Sequence, residues 1–133
     1  MKINFNPLGR DEIRTLETAI LIGSLFRPEV MEEIRNSSER LTWVDSLAVA
    51  AGALARSKAG MSVSEIAEEL GRTESTIRDH LKGETKAGKI AMQTYELLKS
   101  GELDLENVFL DSGKIRERLE KIKNEIEELL REI

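Results

Sequence analysis

Gly71 stands between two pairs of aliphatic residues, Ile66 with Leu70 before it and Ile77 with Leu81 after it, in the stretch "SVSEIAEELGRTESTIRDHLKG". Each pair is spaced by four, which sets both members on one face of a helix. A glycine between the pairs permits the positive φ with which a helix ends in a tight turn. Ala67 lies where the second helix would cross the first, and a larger side chain there would push that helix away. Ser62 with Glu65 forms a capping box for the first helix, while Thr73, Ser75 and Thr76 offer hydroxyls for the start of the second. Two short rods, crossed at a glycine and buried on one side each, constrain everything packed around them.

The rest of the chain repeats the helical period. Asn6 before Pro7 offers a cap and a first helical residue, followed by Ile13, Leu16, Ile20 and Gly23 on one face, with an end near Phe26. Pro28 opens a second helix carrying Val30, Met31 and Ile34, which "NSS" at 36–38 interrupts. Thr42 with Asp45 reads as a capping-box variant ahead of a stripe of Val44, Leu47, Ala48, Ala51, Leu54 and Ala55, and Gly60 suits its C-terminal cap. Ile90, Met92, Tyr95 and Leu98 mark a further helix ending before Gly101, with Gly88 blurring its start. No segment alternates with period two for long enough to make a strand, so the expected fold is all-α, a helical bundle containing the bent pair.

From Ile115 onward the apolar residues are Leu119, Ile122, Ile126, Leu129 and Ile133, at steps of four and three, with charge almost everywhere else. This is a heptad seam, which Asp111 or Ser112 would cap and Gly113 would set off from the body. Three regions follow: an N-terminal helical hairpin over 1–40, a central domain over 41–103, and a C-terminal coiled-coil-like amphipathic helix over 111–133. The seam suits a homodimer, with Leu119, Ile126 and Ile133 at one core position and Ile115, Ile122 and Leu129 at the other. A parallel pair would set Arg118 against Lys123, so antiparallel pairing or packing on the chain's own body stays open.

Ala67, Gly71 four residues on and Ile77 six beyond that have the spacing of a helix-turn-helix. Its second helix, about 74–82, can lie in a DNA major groove. Arg78 is suited to bidentate contact with guanine, and Ser75, Thr76 and Lys82 to phosphate. Thr73 and Asp79 share the outward side, where a carboxylate is tolerated only against cytosine N4. Arg72 follows the turn glycine, where an apolar residue is usual, and can reach a phosphate while its stem covers the turn. Lys86 extends the basic run.

The full chain carries a net charge of -5, which excludes a general nucleic-acid coat or membrane-surface binder and confines phosphate contact to this patch. Two partner readings result: double-stranded DNA, for a dimeric transcription regulator, or another protein, for an adaptor.

From Leu41 to Leu103 the chain resembles an archaeal family of probable regulatory domains found beside partners related to the clock ATPase KaiC. The pieces that carry the likeness are "LTW" at 41–43, "HLKGETKAGK" at 80–89 and "TYELL" at 94–98. The resemblance covers about half the chain and implies a helix-turn-helix regulator linked to a RecA-like signalling ATPase. It names no ligand and no DNA site.

Chemistry finds little footing. The absence of cysteine removes disulfides, thiolate nucleophiles and sulfur-ligated zinc. His80, the single histidine, is expected at the surface or in a cap, with no second imidazole to complete a metal site. "AGALARSKAG" lacks the lysine-serine ending of a phosphate-binding loop, and Glu68 and Glu69 point to different azimuths of their helix. An enzyme, a cofactor and a metal are therefore not expected. The N-terminus has no signal-peptide pattern and the run from Ala19 to Phe26 is too short to span a bilayer, so a cytoplasmic protein is expected. Abundant charge, a single glutamine and no cysteine fit a heat-adapted source. Trp43 reads as a core anchor or, if exposed, as a partner site.

Overall fold

The structure is a computed structural model that describes residues 2–132, apart from the side chains of 107–115. Its elements are α1 (Arg10–Leu25), α2 (Pro28–Asn36), α3 (Arg40–Lys58), α4 (Val63–Leu70), α5 (Glu74–Leu81), α6 (Lys86–Ser100) and α7 (Leu105–Glu132), with no strand among the described residues. The fold is all-α. Residues 1–103 form one unit and 104–133 another.

In the first unit α3 is the central post. Alanines and glycine fill it from Ala50 to Ala55, and all of them are buried together with Leu47 and Leu54. Side chains this small let α1, α4, α5 and α6 approach on different sides. Leu16, Ala19 and Ile20 supply α1's share of the core, and Ile90, Ala91, Tyr95 and Leu98 that of α6. Two buried hydroxyls, Ser24 and Thr94, satisfy each other across α1 and α6 at 2.7 Å. The N-terminal lead-in is tied down by Tyr95, whose hydroxyl donates to the Phe5 carbonyl (3.0 Å) while its ring meets Phe5 edge to face at 5.6 Å. The hairpin of α1 and α2 thus belongs to the same packed unit as the bent pair.

Two helix starts in this unit differ from the sequence expectation. Asn6 and Pro7 do not open α1, which begins at Arg10 behind Gly9. Glu12 reaches back to take the Leu8 N–H (3.3 Å) and the Asn4 amide (2.6 Å), holding this lead-in out of the helix while Pro7 is buried as packing. Thr42 does not cap α3, which starts two residues earlier, after Ser37 Oγ accepts the Glu39 N–H (3.1 Å).

The second unit is α7. Its helix begins well before Asp111, because Asp104 Oδ1 already accepts the Glu106 N–H (3.0 Å). Its backbone then runs on through Gly113. A glycine inside a helix costs only about 1 kcal/mol, too little to break a long one. Leu119, Ile122, Ile126 and Leu129 each leave half or more of their surface exposed. Ile115 and Ile133 lie outside the described side chains.

Candidate nucleic-acid interface

The bent pair forms as its caps dictate. Ser62 Oγ accepts the Glu65 N–H (3.2 Å) and Glu65 Oε1 accepts the Ser62 N–H (3.1 Å), which closes the capping box on α4. These two Ser62 donors, the backbone N–H first, hold the Glu65 carboxyl below its ordinary range. Gly71 ends α4 in the left-handed region at φ +66°, where an added Cβ would meet nothing but would be strained by the backbone itself. Thr73 then caps α5, its hydroxyl oxygen accepting the Thr76 N–H (3.1 Å) while its proton goes to Thr76 Oγ1 (2.9 Å). The joint is filled by Ile66, Ala67 and Ile77 against Ala53 of α3, with Leu70 and Leu81 packed partly buried at its edge. Of the six residues expected to pack the motif, Ile66, Ala67, Leu70, Ile77 and Leu81 lie in this cluster, while Gly71 forms the exposed turn.

Burying Ile77 and His80 turns the opposite side of α5 outward. Glu74, Ser75, Arg78 and Lys82 are exposed, with Thr73 beside them at the turn, and Thr76 and Asp79 are half-buried on the flanks. The cations on and around this face are partly matched by carboxylates. Arg78 Nη2 lies 3.4 Å from Glu74 Oε2, one turn back on the same helix. Arg72 folds over the turn, donating to the carbonyls of Leu70 and Gly71 (both 3.3 Å) and pairing with Asp45 of α3 at 3.2 Å. Lys86 Nζ lies 2.9 Å from Glu33 of α2. Lys82 has no ion-pair partner among the described residues.

Behind the face sits a joint that the residue patterns left unread. His80 is buried, not at the surface, and its Nδ1 lies 2.7 Å from Thr85 Oγ1. Burial pushes the imidazole below its ordinary range, against the opposing pull of the Asp79 carboxylate. Thr85 also caps α6, accepting the Gly88 N–H at 2.9 Å. Gly88 is required here because a Cβ would collide with the His80 carbonyl oxygen and Cα. The joint is written in "HLKGETKAGK", one of the pieces that carried the family resemblance. Asp45 and Glu33 were missed as well, since 27 and 53 residues separate them from the cations that they meet. Among the described residues no group of histidine, aspartate and glutamate is placed to hold a metal, and no helix is long and apolar enough to cross a membrane.

A central post crossed by two short rods joined at a left-handed glycine is the arrangement of a homeodomain-like helix-turn-helix, and the model of the Homeodomain-like domain family matches residues 46–88. Over 118 residues the chain is 58% identical to the uncharacterized protein MJ1053 of Methanocaldococcus jannaschii, covering 87% of this chain and 72% of that one. The chain belongs to that protein's family. No solved structure matches it.

Proposed function

We propose that the chain is a DNA-binding transcriptional regulator that lays α5 in the major groove. The observation that carries this reading is the outward face of α5, with Ser75, Arg78 and Lys82 on a rod whose other side is fixed to the core. Arg78 reads guanine. Ser75, Thr76, Lys82 and Lys86 engage phosphate, with Thr73 and Asp79 at the edges of the footprint. Arg72 serves mainly to stiffen the turn.

The nearby carboxylates do not exclude this role. An exposed i,i+4 ion pair such as Arg78 with Glu74 contributes about 0.3–0.5 kcal/mol, whereas a bidentate arginine-guanine contact discriminates by about 1–3 kcal/mol. Exchange of Glu74 for guanine is therefore downhill. The seam of α7 supplies the second half of a homodimer, which two half-sites one DNA turn apart require. Titration of labelled genomic fragments with the full chain at rising salt tests the reading: affinity falls log-linearly with salt, and no binding at low salt refutes it.

The ion pairs at Arg72, Arg78 and Lys86 favour one second reading, an adaptor that docks on a KaiC-like signalling ATPase. Co-purification of such an ATPase by a chain that ignores DNA would select it.

A further inference from the structure

We propose that the cavity between the start of α3 and the joint of α5 with α6 is a binding site for an uncharged heteroaromatic molecule the size of a nucleobase or nucleoside. The cavity measures about 280 Å³, just below the usual range for drug-sized ligands and enough for a smaller one. Trp43, half-buried, lines it and has no aromatic or cationic partner on its ring among the described residues, and its indole is the surface on which the proposed occupant would stack.

His80 lines it too. This side chain is only 7% exposed, and its Nδ1 is committed to Thr85. The other ring nitrogen has no partner among the described residues, yet it is not sealed off from solvent-accessible space. Being open to solvent, that nitrogen can exchange water for a ligand edge that carries hydrogen-bonding nitrogen or oxygen. The hydroxyls of Thr42 and Ser46 lie on the same wall.

Charge sets the class of occupant. One lysine and one carboxylate, Lys86 and Glu39, stand on the lining, and Lys86 is already paired with Glu33 at 2.9 Å. With Glu39 on the lining and Glu33 beside it, two carboxylates stand against one lysine, so the cavity disfavours a phosphate and takes a nucleoside in preference to a nucleotide. His80 belongs to α5, so an occupant touches the outward helix from behind. The site itself does not depend on DNA binding.

Trp43 is the single tryptophan, so its fluorescence in the full chain reads this cavity directly. Adenosine and adenine are the probes and AMP the comparator. At least one of the two neutral probes produces a saturable change, and AMP binds about tenfold more weakly or worse. Thr42→Leu, at an exposed position, and Ser46→Leu, deeper in the wall, each fill the cavity and weaken binding by at least about tenfold. Circular dichroism identifies a variant that has lost its fold, and the other then decides. No saturable change with either neutral probe, tighter binding of AMP than of adenosine, or undiminished binding in the folded variants overturns the proposal. None of these outcomes bears on whether the chain binds DNA.

Discussion

Replacing Gly88 by alanine tests how tightly the outward helix is locked to the body. In an ordinary helix interior this change stabilises by about 1 kcal/mol, because alanine is the better helix former. Here the new Cβ would run into the His80 carbonyl oxygen and come within 2.9 Å of both His80 Cα and Thr85 Oγ1. Two of those three atoms are backbone and cannot rotate away, so the start of α6 must retreat from the end of α5. Overpacking of this kind costs about 1–3 kcal/mol. The retreat also strains the Thr85 cap on Gly88 and the His80–Thr85 hydrogen bond, each contributing about 1 kcal/mol. Set against the propensity gain, the net expectation is a loss of about 2 kcal/mol, or roughly 10 °C in Tm for a unit of this size. Thermal and urea denaturation of the full chain followed by far-UV circular dichroism measure it. A G88A chain as stable as the parent, or more so, would show that the close contact at His80 does not hold α5 in place.

Four further outcomes follow from the same structure. Ile77→Ala, at a fully buried position of the joint, costs about 2–5 kcal/mol by denaturation, while Gly71→Ala, which meets no neighbour, costs only the left-handed strain of about 1–2 kcal/mol. Glu65 has a lowered folded pKa, so its stabilisation is present above the unfolded carboxylate value of about 4.3 and is lost as pH falls through the folded one. The stability gap between the parent and E65Q should therefore be constant near neutrality and close on acidification; a gap that widens there would contradict the capping box. On the proposed dimer, Ile122→Asp with Ile126→Asp should halve the mass measured by light scattering, and an unchanged mass would place the dimer contact elsewhere.

The fold was legible where function and packing share one period. Ala67, Gly71 and Ile77 reported the crossed rods because sterics at a tight turn admit few residues, and Ser62 with Glu65 marked its start because a capping box is wholly local. Helix starts at Asn6, Thr42 and Asp111 were misread for the opposite reason. Glu12 takes the Leu8 N–H that an Asn6 cap would need, while Ser37 and Asp104 accept the N–H groups of Glu39 and Glu106 at earlier starts, so those helices already run through Thr42 and Asp111. The outward face of α5 could be read from Ile77 and Leu81 alone. What could not be read was its electrostatic surround, since Asp45 and Glu33 reach the cationic patch only through the tertiary fold. His80 was misplaced because a lone histidine beside Asp79 looks solvated, and only the approach of Gly88 shows why it is enclosed. Trp43 proved neither buried anchor nor free surface, but a wall of the cavity.

The central claim is that α5 reads the groove with an arginine that Glu74 holds only loosely. Affinities of the parent, R78A and E74A chains for one bound duplex at fixed salt test it most directly. The account predicts that R78A loses about 1–3 kcal/mol, roughly 5- to 150-fold in Kd, while E74A binds as well as the parent or better. Unchanged binding by R78A, or a loss in E74A as large as that in R78A, would contradict it.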